Sequence, residues 1–507
     1  MATKNMKEVA DSAEKQKKES FAKQVQAALQ LLDLTNIPTK SYTVYNKESL
    51  RTYLKNPLSD TNSKNLRKLS QYLYVLSPQY RRIISYFASQ VDASLYTVIP
   101  NYSMTEDNDD ESILQNYESV LQWMERINVP KWIYSALVTV WREDVFYGYI
   151  YYDDSAEQDV DSFLVLPLDP DYCRISSIGY DGTLGFAFDF SFFDNNTNKI
   201  YLDVWGKEWQ KMYNAYQADT RNMRWQELDT NLSVCFKYNY DQTDRVIPPM
   251  ASLFEGIIDL IDLQGITSVK DAMSIYKLLV AKIGYLNSDS PNDFEIDLDL
   301  AAQFYAKMLG VVPENIGIVM SPMDIIPINF EQSDTDEVNR ISKANSNIWE
   351  AAGVSQIMDN EKLTGSTAVT AAMRFDALTA IKPLLGQIEA RINKFLDYVL
   401  PNNGMRVKYM PITPYFKDEA IKQVKEACTL GLPMKTQYAT LMGMSPMDMN
   451  SMLHLENDIL GLQDKFVPMQ STYTQTGDSD TGGAPEKDPD ELSDAGAKTK
   501  DEEKNKM

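Results

Sequence analysis

The sequence is nearly free of histidine, and His454 is the only one among 507 residues. Histidine is the side chain that most often moves protons near neutral pH, and it is the commonest protein ligand of metals. Its scarcity argues against histidine-based triads, histidine acid–base pairs and histidine-rich metal sites, while sites made of carboxylates alone stay open. Because His454 stands between Leu453 and Leu455 in a helical pattern, we expect a surface or a hydrogen-bonded core residue.

Cysteine is also rare. Cys173, Cys235 and Cys428 lie far apart in the sequence. Their number and spacing match neither a disulfide framework nor a zinc site. We therefore expect three free thiols and a reducing compartment.

Long apolar runs are missing. Residues 1–20 carry charges of both signs and no apolar core of the signal-peptide kind. The most hydrophobic helical stretch, residues 250–286, is interrupted by Glu255, Asp259 and Asp262. We expect no targeting segment and no transmembrane helix.

Motifs for nucleotide binding and catalysis are missing as well. The sequence has neither a Gly-x-x-x-x-Gly-Lys-Ser/Thr phosphate loop nor a Gly-x-Gly-x-x-Gly fingerprint. Residues 477–483 look like a serine-protease motif, but their polar, glycine-rich surroundings predict a disordered tail. Acidic residues alternate with apolar ones over 293–299 without the glycine and closing glutamate of an EF-hand, which predicts a solvated strand face. We expect no enzyme activity, no cofactor and no metal site.

The charge balance is strongly acidic, with 49 basic against 72 acidic residues and a formal net charge of -23. This balance argues against a protein that grips nucleic acid by neutralising phosphates. Duplex DNA that slides through a pore is better served by weakly attractive or repulsive walls than by salt bridges that break at every step. An acidic channel with a few cations is therefore compatible with DNA passage.

Two helices around a polar loop form the most informative stretch. The first helix pattern runs from Ser333 to Ala352 and begins with Ser333 and Asp336 in capping-box spacing. The second runs to Leu400 and contains Pro383, which predicts a kink. The narrow apolar stripe of the first comprises Val338, Ile341, Ile348 and Ala352. The apolar residues of the second are Phe375, Leu378, Ile381, Leu385, Ile388, Ile392, Phe395 and Val399.

Other segments follow from periodicity and turn residues. Helices are predicted at 65–94, 113–144, from the prolines at 248–249 onward, and at 301–309, 417–430, 434–441 and 446–462. Strands are predicted at 145–152, 163–168, 183–190, 199–204, 209–213, 317–320, 324–330 and 405–411. A hairpin turn is predicted at Asn195 to Asn198.

The helix–loop–helix stretch resembles that of tailed-bacteriophage (siphophage-type) portal proteins, the head–tail connectors. The residues that carry the resemblance, in chain order, are Phe146-Tyr147-Gly148, Leu168-Asp169-Pro170, Arg174-Ile175, Pro248-Pro249, Glu350-Ala351-Ala352-Gly353-Val354, Arg374-Phe375-Asp376, Pro383-Leu384, Ile388-Glu389, Gly431-Leu432-Pro433 and Gly443-Met444-Ser445-Pro446. No single motif is specific. Their order over about 300 residues carries the resemblance.

The resemblance implies an α+β portal-type fold in a ring oligomer, dodecameric if it follows the family. The implied regions are a flexible arm (1–30), a wing of helices and then strands (31–246), a first stem helix (247–283), a small α/β clip (284–332), a second stem helix (333–352), a channel loop (353–366), a kinked helix with a wing strand (367–415), a helical crown (416–467) and a disordered acidic tail (468–507).

The implied function is a channel for packaging and ejection of double-stranded DNA at one capsid vertex, without catalysis. Implied partners are the terminase large subunit, a head-completion adaptor, and the major capsid and scaffold proteins. The protein would reside in the virion and assemble in the host cytoplasm, with no membrane association.

The resemblance also implies site residues. Channel-wall candidates on the second stem helix are Glu337, Arg340 and Lys343. The loop residues expected to face DNA are Gln356, Asp359, Asn360, Glu361, Lys362 and Thr364. Hinges are expected at Gly353, Gly365 and Pro383, because glycine permits unusual backbone angles and proline removes an amide donor.

Two alternatives stay open. The first is another structural virion component, such as a minor capsid or tail protein, which would lack ring symmetry and a through-channel. The second is a metal-dependent DNA-processing enzyme, but the many acids show no clustered arrangement with a base. Magnesium-dependent cleavage of plasmid DNA would identify it.

Overall fold

The structure of the protein is a computed structural model. The structure describes residues 47–101, 110–152, 163–274, 277–282, 296–297, 300, 303–304, 316–321, 335–353 and 366–465. The expected arm, the interior of the channel loop and the expected tail lie outside these residues. The chain divides into two compact units, residues 1–449 and 450–507.

Helices open the larger unit. They are α1 (Lys47–Lys55), α2 (Asp60–Leu76), α3 (Pro78–Ala88), α4 (Asp110–Ile127) and α5 (Val129–Glu143). The predicted helix at 65–94 is divided, because Pro78 begins a new helix whose cap is Ser77: the Ser77 Oγ accepts a hydrogen bond from the Tyr80 N–H at 3.2 Å. The predicted helix at 113–144 is divided at Asn128, which has a φ of 39°.

A central antiparallel sheet follows. Strand β2 (Val145–Tyr152) lies between β3 (Phe163–Leu168) and β7 (Ser233–Lys237). The pairing places Tyr147 opposite Leu168 on one side and Cys235 on the other. The first two strands were predicted from sequence at these bounds, whereas β7 was not predicted.

A second sheet and two helices enclose an aromatic core. The sheet comprises β4 (Cys173–Ile178), β5 (Leu184–Asp189) and β6 (Trp225–Glu227), with β5 in the middle. The helices are α6 (Asn196–Trp205) and α7 (Lys207–Ala218). The rings of Trp205 and Trp209 lie 4.6 Å apart, and Phe188 meets Trp209 edge to face at 5.2 Å.

The strands predicted at 199–204 and 209–213 are therefore wrong, since both segments are helical. Leu202, Trp205, Trp209 and Tyr216 recur at helical spacing and bury one face of the pair. The predicted hairpin turn is also wrong: Asn195 caps α6, and its Oδ1 accepts a hydrogen bond from the Thr197 N–H at 3.2 Å. Aromatic residues favour strands, and that preference yielded here to packing.

The first stem-like helix is shorter than predicted. Helix α8 (Phe254–Ser274) follows a short turn, Ala251–Leu253, near the two prolines. The expected stem helix at 247–283 is wrong at its end, because residues 277–282 form β8 (Lys277–Lys282). This strand pairs in parallel with β9 (Ile316–Ser321), the strand predicted at 317–320. Most of residues 283–334 lies outside the described chain, including the strand predicted at 324–330.

The C-terminal half returns to helices. Its elements are α9 (Thr335–Ala351), α10 (Ser366–Val399), β10 (Met405–Tyr409), α11 (Lys417–Thr429), α12 (Lys435–Leu441) and α13 (Pro446–Leu453). All were predicted within a few residues except the last: the helix predicted at 446–462 is wrong at its end, because α13 ends at Leu453 and a wider helical turn follows. Strand β10 pairs with β1 (Tyr96–Pro100), which was not predicted, because its partner lies about 300 residues away and leaves no local sign. The predicted α+β fold class is confirmed.

The main core joins distant parts of the larger unit. It contains apolar residues of α2 to α5, the start of α8, the end of α9 and the C-terminal half of α10. Within it, Phe87 stacks on Trp141 at 4.6 Å, and Trp123 meets Phe395 edge to face at 5.8 Å. The smaller unit is described over 450–465, where a wide helical turn (His454–Ile459) is followed by a last helix, α14 (Leu462–Lys465).

Candidate channel segment

Helix α9 has one buried and one exposed face. Ile348 and Trp349 are buried, and Ile348 lies beside Gly256 of α8. Arg340 and Lys343, two of the predicted channel-wall residues, are exposed. Glu337 lies in the first turns of the same helix. The predicted division into a packed stripe and a polar surface is thus present at this helix.

Gly353 ends α9 in a left-handed conformation. Its φ is +67°, and its N–H donates a hydrogen bond to the Glu350 carbonyl at 3.1 Å. A side chain at this φ costs roughly 1 kcal/mol or more, so glycine suits the position. The predicted loop residues 356–364 and Gly365 lie outside the described chain, and their role stays a prediction.

Helix α10 is unequally buried along its length. Ile381, Ile388, Ile392 and Phe395 are buried as the sequence predicts. Phe375 and Leu378 belong to the same apolar pattern but are 72% and 61% exposed in the single chain. Pro383 lies inside the helix between the two regions.

An open groove lies beside the N-terminal half of α10. It has a volume of about 310 Å³, and Leu378, Ile381, Ile412 and Ala420 line part of it. Arg374 and Glu419 form an ion pair at its edge. On the opposite side, the buried Asp376 carboxylate accepts a hydrogen bond from the Tyr86 hydroxyl at 3.0 Å. The apolar side chains of this half thus meet solvent on one side only.

The C-terminal half of α10 is bound to the sheets by polar side chains. The buried Arg391 donates hydrogen bonds to the carbonyls of Thr230, at 2.8 Å, and of Asn231. Burial lowers the pKa of Arg391 to about 10, against the opposing pull of the carboxylates of Asp181 and Asp229. Arg391 was missed from sequence; a signal lay in its position beside Ile392, on the apolar side of the helix.

A buried ion pair lies next to this contact. Lys237, at the end of β7, pairs with Asp144, and both side chains are almost fully buried. The Lys237 Nζ also donates to the Arg245 carbonyl at 2.6 Å, and the Asp144 carboxylate accepts from the Asn239 N–H at 3.0 Å. Burial raises the pKa of Asp144, although the Lys237 charge opposes the shift. Local sequence patterns do not indicate this pair, since its partners are 93 residues apart.

Catalytic and metal chemistry find little support in the described residues. There, no group of three His, Cys, Asp or Glu is placed to hold a metal ion. His454 is exposed and its Nδ1 lies 2.7 Å from Asp458, as predicted for a surface histidine. Most of the acids at 293–299 and all of 477–483 lie outside the described chain. Among the described helices, none has the length and apolar character needed to cross a bilayer.

Similar solved structures include the necks of gene transfer agent (GTA) particles and a phage portal protein. The neck of an empty gene transfer agent (GTA) particle matches with a TM-score of 0.41 and 13% identity, over 72% of this chain and 93% of that chain. The neck of a native GTA particle, computed with C12 symmetry, gives 0.40 and 14%, over 73% and 94%. The crystal structure of an HK97 family phage portal protein from Corynebacterium diphtheriae gives 0.31 and 11%, over 70% and 95%.

No family model and no curated protein matches the chain. The TM-scores and identities are low, so we rest no functional step on them.

Proposed function

We propose that this chain is a phage portal protein, a head–tail connector that forms a ring at one capsid vertex. The ring, dodecameric if it follows the family, would conduct double-stranded DNA during packaging and ejection. It would dock the terminase large subunit and later the head-completion adaptor, and the major capsid and scaffold proteins would surround it. It would catalyse nothing itself. Assembly would take place in the host cytoplasm.

The observation that carries the proposal is the order of elements from α8 to α10. A stem-like helix, a small element with the parallel pair β8 and β9, and a second helix follow one another, and α9 then ends at a left-handed glycine before the loop. Helix α9 keeps Arg340 and Lys343 exposed on the face away from its core contacts. An exposed basic face on a helix that ends at a glycine is compatible with a channel wall that leads into the predicted loop.

The exposed apolar residues on α10 support the ring. Phe375 and Leu378 lie close together on one helix, beside an open groove. Leu378 lines the groove, and exposed apolar side chains beside a groove are a surface that an interface would bury. In a ring, one subunit presents such a patch to a different surface of its neighbour.

Charge reversal of the wall tests the channel. We expect Arg340→Glu with Lys343→Glu to leave ring assembly intact and to reduce the DNA packaged per particle severalfold, because an acidic wall without its few cations repels the phosphates with no balancing attraction. The measurement is the genome content of purified particles made with each variant. Lys425→Glu on the exposed face of α11 serves as the control.

Two outcomes separate the interpretations. Normal rings with less DNA only in the α9 variant support a wall that faces the duplex. Wild-type DNA content in both variants would contradict the placement of Arg340 and Lys343.

A further inference from the structure

Strands β7 and β10 both lie beside the long helix α10. Among the described strands, β7 pairs with β2 on one side alone, and β10 pairs with β1 on one side alone. The Tyr238 N–H, just after β7, donates to the Asp144 carbonyl. Because backbone groups alternate in direction along a strand, those of residues 234 and 236 also point toward β2. The backbone groups of Lys237 therefore point away from β2 and need other partners, since buried amides and carbonyls are costly to leave unpaired.

Gln387 of α10 provides both partners for Lys237. Its Oε1 accepts a hydrogen bond from the Lys237 N–H at 3.0 Å, and its Nε2 donates to the Lys237 carbonyl at 2.7 Å. The same Nε2 donates to the Pro383 carbonyl, one turn earlier in the helix, at 2.6 Å. The side-chain amide thus pairs with the strand edge as a further strand would.

Asn393 repeats this pattern on the other sheet. Its Oδ1 accepts from the Val407 N–H at 2.7 Å, and its Nδ2 donates to the Val407 carbonyl at 2.9 Å. Its Nδ2 also donates to the Glu389 carbonyl, again one turn earlier, at 2.9 Å. The match between the two amides, on two different sheets, makes a chance arrangement implausible.

The rest of the β10 edge is closed in the same way. The Glu389 Oε2 accepts from the Tyr409 N–H at 3.1 Å, and the Asn403 Oδ1 accepts from the Met405 N–H at 2.6 Å. Every outward amide of β10 is thereby occupied by a side chain. The edge cannot accept a strand from another chain without breaking these bonds.

We propose that Gln387 and Asn393 are positioning residues, which fasten the C-terminal half of α10 to the edges of two separate sheets and join all three into one rigid body. The fastened part begins one turn after Pro383. The fastening itself holds whether or not the chain forms a channel. Its consequence, that the helix is held fixed at the end farther from the predicted channel loop, rests on the proposed function.

Amide hydrogen exchange of the purified full-length protein tests the fastening. Gln387→Met keeps the size of the side chain and removes its hydrogen bonds. We expect exchange over 233–237 to rise about tenfold, with 405–409 unchanged, because a lost pairing of about 1.4 kcal/mol changes an opening equilibrium tenfold. Asn393→Leu should raise exchange over 405–409 and leave 233–237 unchanged. Gln71→Met, on the exposed face of α2, serves as the control.

Gln387→Glu adds a readout that simple loss of packing would not produce. Its carboxylate cannot donate to the Lys237 carbonyl, whereas the protonated acid can both donate and accept. Protection over 233–237, corrected for intrinsic exchange rates, should be lost at neutral pH and return in acid. The same variant carries the test if Gln387→Met does not fold.

Three results are decisive. Opposite, localised losses in the two variants establish the fastening. Unchanged exchange at 233–237 and 405–409 would overturn it. A uniform rise over the whole chain would also overturn it, because it would assign these residues to general stability.

Discussion

Single residues set the local order around Asp144. Its backbone has a φ of +76°, and its buried carboxylate pairs with Lys237 and accepts two hydrogen bonds from Asn239. Lys237 in turn contacts Gln387 of α10 through its backbone. A buried charge with its partner removed is far more costly than the pair itself, because no opposite charge then compensates it.

We predict that Lys237→Met lowers the free energy of unfolding by about 3–5 kcal/mol, since Asp144 is left buried without a cation. The double variant Asp144→Asn with Lys237→Met should recover most of this loss. Asparagine tolerates the left-handed backbone and keeps an oxygen for the Asn239 amide. Denaturant unfolding, monitored by circular dichroism, measures the free energy of unfolding of both variants. Equal stability of the single and double variants would contradict the account.

At the scale of elements, α10 has two different halves. Its C-terminal half is enclosed by the main core and bound to two sheets, whereas Phe375 and Leu378 of its N-terminal half meet solvent. Helices that expose large apolar residues beside a groove generally bury them in an assembly. The helix therefore joins the interior of one subunit to a surface expected to meet another.

We predict that Phe375→Ser with Leu378→Ser weakens ring assembly at least tenfold in protein concentration and leaves the fold of the single chain unchanged. The reason is the loss of apolar area at the interface, at roughly 25 cal/mol per Å². Sedimentation velocity over a concentration series measures assembly, and circular dichroism checks the fold. Ile200→Ser, at an equally exposed isoleucine of α6, is the control. Equal loss of assembly in the control would refute a specific role for the α10 patch.

Helices and strands with strong local periodicity were predictable. Strands β2 and β3, helices α9 and α10 and strand β10 follow from apolar spacing, proline and glycine. Helices α6 and α7 were misread because Tyr201, Trp205 and Trp209 favour strands when considered singly. Strands β1 and β7 depend on partners far along the chain, which periodicity does not contain.

The candidate site was predictable only in outline. Its helices, the glycine that ends α9 and the exposed Arg340 and Lys343 agree with the sequence interpretation. Gln387 and Asn393 look like ordinary polar positions of an amphipathic helix. Their role depends on the folded chain, in which Gln387 meets a strand 150 residues earlier and Asn393 meets a strand 14 residues later.

At the scale of the whole molecule, the proposed ring would be built from an acidic chain with a net charge of -23. In such a ring, the exposed cations on α9 would give the duplex a limited attraction, and the overall acidity would prevent tight binding. Both depend on subunits arranged around a central opening.

The mass and symmetry of the purified protein test this claim most directly, by sedimentation and then by class averages in the electron microscope. The account predicts closed rings of roughly twelve times the 57.8 kDa chain, with a central hole wide enough for duplex DNA. A protein that remains a 57.8 kDa monomer at every salt and protein concentration, also with its capsid and scaffold partners present, would contradict it.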